Sequence, residues 1–439
     1  MAAAFPTDAA QAAVVDKDAE VVFGALRPTE STHRRTTSLD GLWDFVTDSK
    51  DVGMPSFGAG IPAEHRKRIA VPASWNEQLP ELDHFLGPAW YERSFRPSLG
   101  FDSQSSQVIL RFGSINYAAS VYVNGALAGT HEGGHLPFEV DATPHLRPGG
   151  APNTLVVRVD GRLERSHVPP GGGWGAMAPG CFPSASFDFY PFCGIQRSVQ
   201  LCERPAAGLT ALKFDVRLDP DGGGCHVGLR VRVAPGSAIG SMCARLESDE
   251  RPTRLAAETW MAVDTDGVAY ANMRVEAPRL WAPGSPHLYT LYLVAEVTCE
   301  RTGGRLPVDS YEQRVGLREL SVDGASGILL NGHPIQMRGF GRHEDFPLIG
   351  RGECGPVLVR DHACLEWVGA NSYRTAHYPY SEVDLDLADE LGRLVVSEVP
   401  SPSAHAVPYP TPACCTAVCP RHGHGYGTPW TLSPCPSQI

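Results

Sequence analysis

Along residues 36–205 apolar and polar positions alternate in short bursts. "GLWDF", "AWYERSF", "SQVILRF", "ASVYVNG", "TLVVRVD" and "RSVQL" follow one another with Gly, Pro, Asn and Asp between them. A period of two, broken by turn residues, predicts half-buried strands, and this spacing favours a sandwich or jelly roll over a βα repeat. In "YVNGALAGTHEGG" the pair Asn124-Gly125 predicts a tight hairpin, since both residues tolerate positive φ. The turn is read as structural.

Residues 206–318 continue in the same style. "LTALKFDVRLD", "HVGLRVRVAP", "SMCARLES", "GVAYANMRVEAP", "LYTLYLVAEV" and "DSYEQRVGLREL" are strand candidates. Their density fits an immunoglobulin-like β-sandwich.

The period changes near residue 330. "HPIQMRGFG" predicts a short buried strand. "GPVLVRDHACLEWVG" then sets Val357, Leu358, His362, Leu365 and Val368 near one helical face. "ANSYRT" predicts a second strand. "SEVDLDLADELG" predicts a helix with Ser381 as N-cap, acidic residues in its first turn and Gly392 as C-cap. "RLVVSEV" predicts a third strand. Strands alternating with helices predict parallel βα units.

Two segments show neither period. Residues 1–24 are alanine-rich but interrupted by Asp8, Asp16, Lys17, Asp18 and Glu20, and lack the basic start and compact apolar core of a secretion signal. Cytoplasmic residence is the default expectation. Residues 401–439 are rich in Pro, Cys, Ser, Thr and His. Both segments are expected to be disordered.

Composition narrows the function classes. A net charge of −12 without a Lys/Arg block argues against nucleic acid as a partner. No apolar run reaches the length of a membrane span. Of the 12 cysteines, eight scatter from Cys181 to Cys364 without a regular framework, so they are expected to be reduced core thiols. The tail holds Cys414, Cys415, Cys419, His422, His424 and Cys435. Their spacing lacks the paired arrangement of familiar zinc modules, so no metal is expected.

"GFGRHEDFP" and "GANSYRTAHYPY" carry a more specific signal. Together with "SLDGLWDF", "VPASWNEQ", "GPAWYERSF", "FGSINYAASVYVNG", "HEGGHLPFEVDAT", "DFYPFCGIQRSV" and "QRVGLREL", in order over about residues 25–400, they resemble β-glucuronidases of glycoside hydrolase family 2. The resemblance implies a multidomain chain: a sugar-binding-type jelly roll (25–205), an immunoglobulin-like sandwich (206–318) and the first three βα units of a (β/α)8 TIM barrel (319–400), followed by a tail unrelated to the family. It also implies retaining hydrolysis of terminal β-D-glucuronides by two glutamates, with no cofactor. Retention sets the two carboxyls about 5–5.5 Å apart.

In the family one glutamate follows an asparagine at the end of the fourth barrel strand and the other ends the seventh. Asn331 to Ile439 is 109 residues, whereas a complete barrel takes roughly 250, 200 at the least. The expectation is therefore that both catalytic glutamates are absent and that the chain alone is inactive. The family's late Asn-x-Lys grip on the glucuronate carboxylate is not found either. Asn76-Glu77 imitates a catalytic Asn-Glu pair, but it lies among the early strands and is expected to be a surface loop.

Four residues match family positions expected to contact substrate: Asp188 on a jelly-roll loop, His343 after the first barrel strand, His377 after the second, and Glu398 ending the third. Arg374 is expected to brace the pocket. Glu344 and Asp345 either order the first loop or are plain surface charge. The expected partner is a β-D-glucuronide or related glycan, with no nucleic acid and no membrane, and the full-length family member is a candidate homo-oligomer. The alternative is a non-catalytic carbohydrate-binding or subunit-associating fragment.

Overall fold

The computed structural model describes residues 24–53, 57–163, 167, 189–299 and 301–398. Two β-sandwiches come first, and three parallel strands with two helices follow.

The first sandwich pairs a six-stranded antiparallel sheet with a four-stranded one. The larger sheet runs Lys67–Val71, Gly41–Thr47, Pro88–Phe95, Asn153–Asp160, Ala118–Val123, Ala126–Glu132. The smaller runs Phe138–Asp141, Ser106–Phe112, Val199–Pro205, Arg35–Ser38. Alternation sends Trp43 and Phe45 from one sheet, and Leu110 and Phe112 from the other, into one core with Trp75 and Tyr91. Fully burying such side chains stabilises the fold by roughly 1.5–3 kcal/mol each. Asn124 and Gly125 take φ of 52° and 85° and close the expected hairpin.

The second sandwich has two four-stranded sheets. Its core takes Val227, Leu229 and Val231 from one sheet and Leu291, Leu293 and Ala295 from the other. One feature differs from the expected start of the first domain at residue 25. Gly24–Ala25 pair with Leu212 and Ala211 at the edge of the second sandwich, and Leu26 enters its core. The chain then crosses to the first sandwich. Arg34 marks the crossing: its Nε and Nη2 donate to the fully buried Asp309 carboxylate at 2.9 and 2.6 Å.

The segment "HPIQMRGFG" is not one buried strand. His333–Pro334 closes a small antiparallel sheet with Gly327–Leu330 and Leu320–Asp323. Gly339–Arg342 begins a separate parallel sheet, and its Phe340 is 60% exposed. Glycine is required at 339, because a Cβ there would fall 1.8 Å from the Ser372 carbonyl oxygen. The parallel sheet continues with Ser372–Thr375 and Leu394–Ser397.

Helices Gly355–Trp367 and Glu382–Leu391 make the two crossovers. The first buries Leu358, His362 and Leu365 as the period predicts, but it stops before Val368, which stays exposed ahead of the left-handed Gly369. Ser381 Oγ accepts from Asp384 N at 3.2 Å, and Gly392 closes the second helix at φ 69°. A charged knot joins sheet to helices. Asp384, fully buried, lies 2.5 Å from Arg342 Nη1, 3.0 Å from His362 Nε2 and 2.5 Å from the Tyr373 hydroxyl. Burial alone would raise its carboxyl, but His362, Arg342 and Tyr373 together hold it below the ordinary value.

No described helix is long and apolar enough to cross a membrane. The Cys193, Cys202, Cys225 and Cys243 thiols are free and buried, as expected of core cysteines, whereas Cys299 and Cys354 are half-buried and Cys364 is exposed. Cys181 and the tail cysteines lie outside the described residues.

Candidate functional site

Parallel strands with helical crossovers present their carboxyl ends on one face, and the loops leaving those ends carry the chemistry in such folds. Here three loops leave that face. His343 follows the first strand, His377 lies two residues beyond the second, and Glu398 follows the third.

The structure brings the three together. The imidazoles of His343 and His377 meet edge to face, 5.1 Å between centroids. Glu398 ties the second loop to the third strand. Its Oε2 accepts from the His377 backbone N at 2.7 Å, its Oε1 lies 2.7 Å from Arg374 Nε, and its own N donates to Thr375 Oγ1 at 3.0 Å. The backbone at His377 needs such holding, since φ is 76°, in the left-handed region that non-glycine residues seldom enter. His343 is exposed, while His377 is 7% exposed.

Asp188 lies outside the described residues. Its neighbour Phe189 is described, and places the end of that first-sandwich loop against the strand ends. The Phe189 ring is 5.1 Å from His377 and edge-on to Tyr378 at 5.4 Å. One wall of the site therefore comes from the first sandwich.

Asn76-Glu77 is not a surface loop. Asn76 is 4% exposed in the short helix Trp75–Gln78. Its Nδ2 donates to the carbonyls of Leu82, Asp83 and Phe85, and its Oδ1 accepts from Cys193 N at 2.9 Å. Both ends of the amide are used to pin loops of the first sandwich.

Glu344 orders the first loop. It is buried, 3.3 Å from Arg351 Nε and 3.9 Å from Arg197 Nη2, whereas Asp345 is exposed. Arg197 donates to the carbonyls of His135 at 3.0 Å and Pro379 at 2.7 Å. Arg351 stacks over Tyr378 at 3.6 Å. Neither arginine is marked by its surroundings in the sequence. Arg197 stood in plain view inside "DFYPFCGIQRSV", but nothing local marks it as bridging two domains.

Among the described residues no group of three or more His, Cys, Asp or Glu is placed to hold a metal ion. The tail residues considered for zinc lie outside them.

Three models of glycosyl hydrolases family 2 match in succession: its sugar binding domain over 36–205, the model described by the family name alone over 212–318 and its TIM barrel domain over 321–415. The last match runs past the expected boundary at 400. β-Glucuronidase of Rattus norvegicus is 33% identical over 394 residues, covering 86% of this chain and 58% of that protein. That of Paenibacillus borealis is 32% identical over 383 residues, covering 86% and 61%. Among solved structures, Bifidobacterium dentium β-glucuronidase complexed with coumarin-3-O-glucuronide superposes with a TM-score of 0.75 at 31% identity, covering 86% of this chain and 63% of that one. Ruminococcus gnavus β-glucuronidase in complex with D-glucuronic acid gives 0.74 at 31% identity, covering 86% and 62%. The chain thus spans about three-fifths of the length of the relatives it matches. With three consecutive domain matches and relatives aligned along most of its length, the chain belongs to glycosyl hydrolases family 2.

Proposed function

We propose that the strand-end cluster of His343, His377 and Glu398 is the sugar-contacting part of a β-glucuronidase site, at the mouth of the first three βα units of a (β/α)8 barrel. The observation that carries this reading is the convergence of the three loops with Phe189 on one face. The exposed His343 imidazole is the group free to meet a sugar hydroxyl, and His377 forms the floor beside it. Asp188, which precedes Phe189 in the sequence, is the further sugar contact that the family resemblance implies. The coumarin-3-O-glucuronide and the D-glucuronic acid held by two solved relatives support a glucuronide as the substrate class.

We further propose that this chain binds glucuronides without hydrolysing them. Retaining hydrolysis needs two free carboxyls facing one anomeric carbon. Of the carboxylates at the described strand ends, Glu398 is engaged by His377 N and Arg374, and Glu344 by Arg351 and Arg197, so both brace and do not transfer protons. The glutamate of the Asn76-Glu77 pair belongs to a helix whose asparagine is structural. That leaves Asp345 as the exposed carboxylate on the loops at the described face, and no pair of free carboxyls there.

The reading is tested by incubating the chain with an aryl β-D-glucuronide. Saturable binding with no aryl alcohol released supports it. Turnover at a rate ordinary for a glycosidase contradicts the binding-only assignment, and failure to bind contradicts the site.

A further inference from the structure

The loop after the first parallel strand folds back onto the first sandwich, and buried donors outnumber acceptors at that seam. Arg351 is 3% exposed. Its Nε faces Glu344, but Nη1 and Nη2 meet no hydrogen-bond acceptor among the described residues. The same holds for Gln196 Nε2 on a fully buried side chain, while Asn116 and the Tyr117 hydroxyl, no more than 1% exposed, face each other.

Hydrogen bonds link the segments that carry these groups. Ser74 Oγ accepts from Arg351 N at 3.1 Å and donates to Gln196 Oε1 at 2.8 Å, which leaves the Gln196 NH2 pointing elsewhere. Gln196 N donates to the Ser114 carbonyl at 2.9 Å, and Ser114 Oγ reaches Asn116 Oδ1 at 3.4 Å. Tyr117 follows Asn116 and lies near enough to feel the Arg351 charge. Two buried guanidiniums, Arg351 and Arg197, share the Glu344 carboxylate. Burial raises the nearby Glu353 carboxyl, and Arg197 offsets this only in part.

A buried guanidinium with unmatched N–H groups is strongly unfavourable. A water molecule would add two donors to a shell already rich in them. An anion adds acceptor capacity alone. We propose that this seam binds a small monovalent anion of halide size, held by Arg351 Nη1 and Nη2 with the side-chain amide of Gln196. It would lock the Arg351–Tyr378 stack, and with it the loop that carries His377, from beneath.

The test uses the full chain with sodium bromide, sodium chloride or sodium gluconate at equal ionic strength and pH. The thermal midpoint is expected to rise by about 2 °C or more from gluconate to either halide, and to saturate with halide concentration as one site fills. Crystals grown in bromide should show an anomalous peak beside the Arg351 guanidinium. Gln196→Glu places a carboxylate within the shell, so it should raise the midpoint in gluconate and abolish the halide response. Equal midpoints in all three salts, or bromide crystals with no anomalous peak beside Arg351, would overturn the proposal. If Gln196→Glu does not fold, Arg351→Lys serves instead, with at least half of the halide response lost, and the diffraction result decides independently.

Discussion

The backbone N–H of His377 donates to Oε2 of Glu398 at 2.7 Å, across two adjacent parallel strands. This bond fixes a histidine in a left-handed backbone conformation exactly where two loops and one sandwich meet, and the same carboxylate holds Arg374. Removing a charge-assisted bond of this kind costs about 1.5–3 kcal/mol. Glu398→Ala is expected to weaken glucuronide binding by about tenfold or more, while Glu398→Gln, which keeps an acceptor for His377 N, retains more of it. Calorimetric titration of the two variants distinguishes a bracing role, in which they differ, from no role, in which both match wild type.

Asp384 receives Arg342, His362 and Tyr373 in a fully buried setting. Asp384→Ala leaves the Arg342 cation without its closest carboxylate, a loss of about 3–5 kcal/mol. Limited proteolysis should then cleave first within residues 320–398 and leave both sandwiches intact. Cleavage first within 209–315 would contradict the assignment of Asp384 as the keystone of the parallel unit.

Asp389 gives the clearest pH dependence. Its carboxyl is raised to about 6, mainly by burial, with Arg318 opposing at 3.8 Å. A raised folded pKa means the folded state favours the protonated acid. The penalty of ionising Asp389 is absent below about pH 4, grows between pH 4 and 6, and is complete above pH 6. Asp389→Asn is therefore expected to stabilise the protein at pH 7 by about 1–3 kcal/mol, with the gain vanishing near pH 3.5. Urea midpoints at the two pH values check the sign.

Gly339→Ala pushes a methyl group onto the Ser372 carbonyl and should separate the first two parallel strands. Overpacking of this kind costs about 1–3 kcal/mol. Urea unfolding should show that loss, and amide exchange should speed up at Tyr373 and Arg374 while Val121 in the first sandwich is unchanged.

Much of this arrangement is legible in the sequence where chemistry is local. Asn124-Gly125 announces its hairpin because two positive φ values are needed side by side, and Ser381 and Gly392 bracket their helix by capping. His343, His377, Arg374 and Glu398 are found through motifs attached to strand ends. Legibility fails where a feature is assembled from distant segments or is too short to have a period. Gly24–Ala25 forms a two-residue strand, which no alternation can reveal. Asn76 looks like loop polarity until its partners at Leu82, Asp83, Phe85 and Cys193 are seen. Arg197 and Arg351 act across a seam between two domains, and nothing around either residue in the chain records the other.

The most direct test of the central assignment is a titration of the histidine-labelled chain with an aryl β-D-glucuronide, followed by NMR. Resonances of His343 and His377 should shift together and saturate with one dissociation constant, and His343→Ala should remove that response. Shifts confined to histidines of the sandwiches, such as His226 or His287, or no saturable shift at all, would contradict a glucuronide site at the strand ends.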